Sequence, residues 1–328
     1  YSESFNKEGI SRNIKENSHI KDLPFKLRED QVLAYKEISE DLNSNHKMNR
    51  LLQGDVGSGK TIVAFLLALA MMDASYQVAF MVPTDLLLHQ HANNFKELFP
   101  NIEFAILNQN SDESVHEKLK NNEVKFVIGT HSLFQDRCEF ANLGMVIIDE
   151  QHRFGVKQRN QLINKGKDVD VLMLSATPIP QTLAHSLFLN LDVSTLNHSR
   201  ENKVDTYYVK ENSIQSIQKN LENSLRNKEQ IYVVCPAIEE GEREGIKNVE
   251  EIHYHLSREF SMFNVTMLHG RMNAEEKAAI LNDFSSGKID VLVSTSVIEV
   301  GIDVHNANTI VIYNAEQFGL ATLHQMRG

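Results

Sequence analysis

The stretch "GDVGSGKT" (54–61) constrains this chain more than any other. It follows "RLLQ", which reads as a strand, and runs into the apolar helical segment "IVAFLLALAMM" (62–72). The spacing G-x-x-x-x-G-K-[ST] in a strand–loop–helix setting builds a phosphate cradle. Gly54, Gly57 and Gly59 let backbone N–H groups approach phosphate oxygens with no Cβ in the way, and Val56 and Ser58 complete the loop. The helix starting near Lys60 adds the positive end of its dipole. Lys60 would reach the β- and γ-phosphates, and Thr61 would offer its hydroxyl to Mg2+. The sequence therefore predicts a nucleoside-triphosphate site.

Around this loop, strand-like apolar runs alternate with helical periodicity, the pattern of a mostly parallel sheet flanked by helices. "QVAFMVP" (77–83), "KFVIGT" (125–130), "MVIID" (145–149) and "VLMLSAT" (171–177) read as buried strands, and 84–98 and 179–190 as helices. The alternation pauses over the polar, aperiodic "DVSTLNHSRENKVD" (192–205). It resumes with "TYYVK" (206–210), "IYVVCP" (231–236), "VTMLHG" (265–270), "DVLVST" (290–295) and "TIVIYN" (309–314). "NAEEKAAILNDFSSG" (273–287) has the capping-box start and terminal glycine of an amphipathic helix. The expected organisation is a polar N-terminal segment (1–20), an α/β domain over 21–195, a linker over 196–205 and a second α/β domain over 206–328. With 41% hydrophobic residues, both domains can bury a core.

Composition removes several classes. The run 62–72 is too short to span a bilayer, and the charged opening stretch has no signal-peptide pattern, so no membrane partner is expected. Cys138 and Cys235 match no metal or redox spacing and read as reduced core residues, as in a cytoplasmic protein. His131, His152 and His269 match no zinc spacing, and "HYH" (253–255) places its histidines on different helix faces. A net charge of −11 speaks against a broad basic nucleic-acid surface but leaves room for a local one. "EEGEREG" (239–245) reads as a solvated loop.

A phosphate-loop ATPase needs a second carboxylate site at the end of a neighbouring strand. "VIIDEQHRFG" (146–155) supplies it. Asp149 would hold Mg2+ opposite Thr61, and Glu150 would polarise the attacking water. Gln151 and His152, close behind, would relay the state of the phosphates.

Together these motifs resemble superfamily 2 helicases and translocases over nearly the whole chain. The resemblance implies two tandem RecA-like lobes. "LREDQVLAYKEI" (27–38) resembles the segment whose glutamine, here Gln31, reads the adenine edge, with Phe25 placed to stack on the base. "VPTDLLLHQH" (82–91) and "IGTH" (128–131) resemble first-lobe motifs that touch the nucleic-acid backbone, which makes Thr84, Thr130 and His131 candidates. "SATPIP" (175–180) resembles the motif that couples hydrolysis to strand movement, through Ser175 and Thr177. "STSVIEVGIDV" (294–304) resembles the second-lobe motif, with Thr295 toward the nucleic acid and Gly301 and Asp303 toward the nucleotide. Within the superfamily, "DEQHRFGVKQR" (149–159), "VVCPAIEE" (233–240) and "LHGRMNAEEK" (268–277), which contains the DNA-contact candidate Arg271, resemble the RecG family of branched-DNA translocases. That resemblance implies an ATP-driven, monomeric DNA motor acting in recombination and repair.

Two departures stand out. Gln181 follows "PIP" where the family commonly has arginine, and the chain stops at "LHQMRG" (323–328). Gln325, Arg327 and Gly328 match the start of a segment that in the family continues to finger arginines on the γ-phosphate, so the expectation is a motor core without its fingers or the family's wedge domain. Transcription-repair coupling factors share "RFGVK" and "SATPIP" but usually read D-E-E-Q and lack a "CPAIEE" segment. An RNA helicase or, in another class, a non-hydrolysing nucleic-acid-binding scaffold would hold strands with the same residue types.

Overall fold

The computed structural model describes residues 9–15, 18–149, 156–176, 191–197, 204–209, 214–236, 249–295, 304 and 306–327. The chain divides into two compact units, Tyr1–Ser199 and Arg200–Gly328.

In the first unit the order is α1 (Glu29–Leu42), β1 (Asn49–Gly54), α2 (Lys60–Asp73), β2 (Gln77–Met81), α3 (Asp85–Leu98), β3 (Ala105–Leu107), α4 (Glu113–Lys120), β4 (Phe126–Gly129), β5 (Leu143–Ile148), α5 (Val156–Ile163), β6 (Asp170–Ser175) and β7 (Asp192–Leu196). The seven strands form one sheet in the order β3-β4-β2-β5-β6-β1-β7, and every recorded pair is parallel. Strands β2, β4, β5 and β6 are buried along their whole length, which explains their unbroken apolar runs. Because all strands point the same way, residues that end strands collect along one edge of the sheet.

Helix α2 is the centre of this packing. Ile62 through Met71 are all buried, so the helix lies inside the protein rather than in a lipid phase. Phe65 meets Phe95 of α3 edge-on at a centroid distance of 5.0 Å, and Phe95 meets Phe126 of β4 at 4.8 Å. Phe80 joins the same cluster at 5.8 Å from Phe65. Such pairs each add about 0.5–1.5 kcal/mol beyond their area burial. Among the described residues, no helix is long and apolar enough to cross a membrane.

The second unit contains α6 (Ile214–Arg226), β8 (Gln230–Cys235), α7 (Val249–Glu259), β9 (Val265–Leu268), α8 (Ala274–Ser285), β10 (Val291–Thr295), β11 (Ala307–Ile312) and α9 (Leu320–Arg327). Its four described strands run parallel in the order β11-β8-β10-β9. The expected capping box is present: Asn273 accepts from Glu276 N at 2.8 Å, and Glu276 accepts from Asn273 N at 3.1 Å. Gly287, at φ 78°, ends that helical segment. Each unit also opens a strand on a buried glutamine. Gln77 donates to Leu119 O (2.8 Å) and Val124 O (2.9 Å), while Gln230 donates to Phe284 O and Ile289 O, both at 2.6 Å. In both units the amide ties the end of a helix to the start of a strand.

Two expectations are corrected. "DVSTL", placed in the polar pause, is strand β7, paired with β1 from Arg50↔Asp192 to Gly54↔Leu196. It is an edge strand that buries Ser194 and Leu196 while exposing Asp192 and Thr195, so its polar half hid it. "TYYVK", expected as a strand, has no regular structure over its described residues 206–209. Tyr207 and Tyr208 are 79% and 88% exposed, so neither supplies a buried face. The helix expected over 179–190 lies outside the described residues.

The segment before α1 is fastened by an ion pair. Arg12 Nε donates to Asp170 at 2.7 Å, with both side chains almost fully buried, and Asp170 also accepts from Met48 N at 2.8 Å. Burial pushes the Asp170 carboxyl up, against the pull of Arg12 and the Met48 amide. Removing one partner of a buried pair strands the other charge, so Arg12→Ala is expected to cost about 3–5 kcal/mol in urea unfolding followed in the first unit. A loss below about 1 kcal/mol would contradict this assignment.

His116 on α4 is also buried, and neither ring nitrogen has a hydrogen-bond partner among the described residues. Burial holds its pKa below the ordinary value, assisted by Arg137 and Lys165 and opposed by Glu113. The native state therefore takes up fewer protons than the unfolded chain, whose histidines titrate near about 6.5. The stability it contributes is complete above that pH and is lost on acidification toward the lower native value. Urea midpoints at neutral and mildly acidic pH should fall together with pH in the wild type and fall less in His116→Leu; equal falls would remove His116 as the cause.

Candidate active site

The stretch 54–61 forms a strand–loop–helix turn. Strand β1 delivers Gly54, the loop turns through Gly57 at φ 74°, and Gly59 at φ 79° is the N-cap of α2. Both positive φ values favour glycine. A Cβ on Gly54 would lie 2.6 Å from Ser58 Oγ and 3.0 Å from Leu196 Cβ, so this glycine is required by close packing. Val56 is half-buried, whereas Ser58 is buried and its hydroxyl has no hydrogen-bond partner among the described residues. The ammonium of Lys60 lies over the loop, donating to Gly54 O at 2.6 Å and Asp55 O at 2.9 Å. Thr61 sits in the first turn of α2, where backbone N–H groups have no acceptor within the helix.

Two residues of the α1 segment clamp this loop from outside. Gln31 is buried; its amide donates to Ser58 O at 3.2 Å, and its carbonyl accepts from Arg28 N at 3.0 Å. The Arg28 guanidinium donates to the same Ser58 carbonyl. Gln31, expected at an adenine edge, thus spends one amide hydrogen on the loop that would carry the phosphates. Arg28 carried no role in the sequence reading. Phe25 is 48% exposed, which leaves its ring accessible.

The carboxylate side follows from sheet order. Asp149 comes directly after β5 and extends its pairing by donating N–H to Met81 O at 2.9 Å. Its Oδ2 accepts from His91 Nε2 of α3 at 3.0 Å. His91 lies on the buried stripe of α3 with Leu87, Leu88, Ala92 and Phe95. Sequence reading missed it, although a histidine on an otherwise apolar face was the available signal.

The other first-unit candidates line the same edge. Passing across the sheet from β4 through β2, β5 and β6 to β1, the strand ends present Thr130, Thr84, Asp149, Ser175 and Gly54. Thr130 is buried, and its hydroxyl has no partner among the described residues. Thr84 is the N-cap of α3, accepting from Leu87 N at 3.3 Å. His131 pairs with the Gln109 amide, and Ser175 is buried. In the second unit, Thr295 ends β10, and Arg271 is an exposed residue in the turn after the adjacent strand β9. Gln325 and Arg327 lie on α9.

The Helicase conserved C-terminal domain family matches residues 212–328, and the DEAD/DEAH box helicase family matches 28–185. The ATP-dependent DNA helicase RecG of Thermotoga maritima is 46% identical over 318 residues, covering 94% of this chain and 41% of that protein. Its Bacillus subtilis counterpart is 43% identical, covering 94% of this chain and 47% of that protein. A solved structure of RecG bound to a three-way DNA junction superposes with a TM-score of 0.81 at 42% identity, over 98% of this chain and 43% of that one. The chain is a RecG-type helicase core. It spans less than half the length of the RecG proteins it matches, and the match falls on the helicase core with its two α/β lobes.

Within this RecG-type core, Glu150, Gln151 and His152, Thr177 with its neighbour Gln181, and Gly301 and Asp303 lie outside the described residues. Among the described residues, no group of three or more His, Cys, Asp or Glu side chains could hold a metal by itself. The hydroxyl of Thr61 and the carboxylate of Asp149 are hard oxygen donors of the kind that bind Mg2+ jointly with a substrate phosphate. The residues present therefore fit Mg2+ held together with a nucleotide. Gly59→Ala tests the loop: its Cβ would collide with the Gln31 amide at a backbone angle that also disfavours it. A loss of about 1–3 kcal/mol in thermal or urea unfolding, with weakened nucleotide binding, is expected. Unchanged binding would show that the clamp on the loop is dispensable.

Proposed function

We propose that this chain is the ATP-hydrolysing motor of a RecG-type helicase, moving on double-stranded DNA and remodelling branched DNA in recombination and repair. The observation that carries this reading is the common sheet edge, which holds the phosphate loop, Asp149 and the strand-contact candidates Thr84 and Thr130 on one rigid frame. The relatives are ATP-dependent DNA helicases, and the junction bound in the RecG structure supports the same substrate class here.

Lys60 and the backbone N–H groups of 54–61 would bind the β- and γ-phosphates, and Gln31 and Phe25 would hold the base. Thr61 and Asp149 would hold Mg2+, which when bound neutralises charge developing on the transferred phosphoryl group. Glu150 would orient and deprotonate the attacking water. Ser175, Thr177, Gln151 and His152 would pass the change in phosphate occupancy to the strand-contact residues. Those are Thr84, Thr130 and His131 in the first unit, and Arg271 and Thr295 in the second. Gly301, Asp303, Gln325 and Arg327 complete the nucleotide set by resemblance. Backbone N–H groups and short hydroxyl side chains hold phosphates without a large positive total, which reconciles DNA binding with the charge of −11. The same reading makes the motor a cytoplasmic monomer, in line with two buried thiols whose pKa values burial pushes up to about 11 at Cys138 and about 12 at Cys235.

In the natural full-length protein, Glu150→Gln is expected to keep ATP affinity while turnover falls by about 100-fold or more. Forked DNA should stimulate hydrolysis more than linear duplex, and RNA least. Unchanged turnover in the variant would remove Glu150 from its role, and RNA as the strongest activator would replace DNA as the substrate.

A further inference from the structure

We propose that His91 is a positioning residue for the metal site: its Nε2–H fixes the Asp149 carboxylate in the orientation that binds Mg2+. A carboxylate only accepts hydrogen bonds, so at 3.0 Å from Oδ2 it is the His91 Nε2 that carries the proton and donates. The side chains are 8% and 13% exposed, so water competes little for this bond. The ring has little freedom to leave it. It packs at 5.1 Å against Phe80 of β2 and edge-on at 6.3 Å against Phe65 of α2. Its other nitrogen, Nδ1, is buried with no partner among the described residues, so among them the bond to Asp149 is the one hydrogen bond that orients the imidazole.

The consequence for the carboxylate is specific. With Oδ2 accepting from His91, the carboxylate is tied to a ring locked in the core. Partners that orient a metal-binding carboxylate in this way typically change metal affinity 10- to 100-fold when removed. The same bond joins two ends of the proposed machine. Helix α3 begins at its cap Thr84, a strand-contact candidate, and His91 lies seven residues along it, about 10 Å up the axis. A shift of α3 at its capped end would therefore be felt at the Asp149 carboxylate through a single hydrogen bond.

This inference rests on the nucleotide reading of the phosphate loop, and one experiment separates their failures. ADP affinity of the natural full-length protein is measured by a fluorescent-nucleotide titration, first in EDTA and then across a Mg2+ series, for wild type, His91→Phe, His91→Asn and His91→Gln. Phe fits the aromatic pocket without a donor, Asn is polar but too short, and Gln places an amide N–H near the position of Nε2. Affinity in EDTA should agree across all four proteins. The Mg2+ concentration giving half of the affinity gain should rise about tenfold or more in the Phe and Asn variants and stay within about threefold of wild type in the Gln variant. Thermal unfolding of each variant shows which are folded, and Asn carries the comparison if Phe does not fold. Wild-type Mg2+ dependence in a folded Phe or Asn variant overturns the role of His91 and leaves the nucleotide site standing. A wild type whose ADP affinity ignores Mg2+ overturns the metal reading, and His91 with it.

Discussion

The burial of α2 is the constraint on which the first unit depends. A helix can present its N-terminal N–H groups to phosphate only if something else holds the helix in place, and here ten consecutive residues from Ile62 to Met71 are packed in the core. Strands β1, β5 and β2 pass beneath it, and Phe65 reaches across to α3 and β4 through the aromatic cluster. The dipole end of α2, the carboxylate of Asp149 and the cap of α3 are thereby fixed by one set of apolar contacts. A phosphate site built on a loosely held helix would lose orientation whenever the loop emptied.

A parallel sheet does the rest of the placing. Every recorded strand pair in both units is parallel, so each crossover returns the chain to the same edge. The candidate site residues on that edge are far apart in sequence: Gly54, Asp149 and Ser175 lie at the ends of strands β1, β5 and β6, which are neighbours in space. The clamps arrive by a different route. Gln31 and Arg28 reach Ser58 from α1 and its N-cap, and His91 reaches Asp149 from α3, each adding polar contact to a site whose frame is apolar.

What could be read from the sequence divides along the same line. The strand–loop–helix around 54–61 is legible because its glycines have a fixed spacing, and the buried strands because two covered faces demand unbroken apolar runs. Strand β7 was not legible: an edge strand needs only one buried face, and "DVSTL" supplies it with Ser194 and Leu196. "TYYVK" misled in the opposite direction, since β-branched and aromatic residues satisfy strand propensity without a neighbour to pair with. The contacts of Gln31 with Ser58 and of His91 with Asp149 span 27 and 58 residues, and no local pattern announces them. A histidine among leucines and a phenylalanine was the trace that His91 left in the sequence.

If nucleotide and DNA are held on one rigid edge, their binding must be linked, and linkage is reciprocal. The most direct measurement is the affinity of the natural full-length protein for forked DNA with and without a non-hydrolysable ATP analogue plus Mg2+, together with analogue affinity with and without the fork. The account predicts that each ligand changes the affinity of the other by the same factor, about fivefold or more. Two affinities that ignore each other would contradict it.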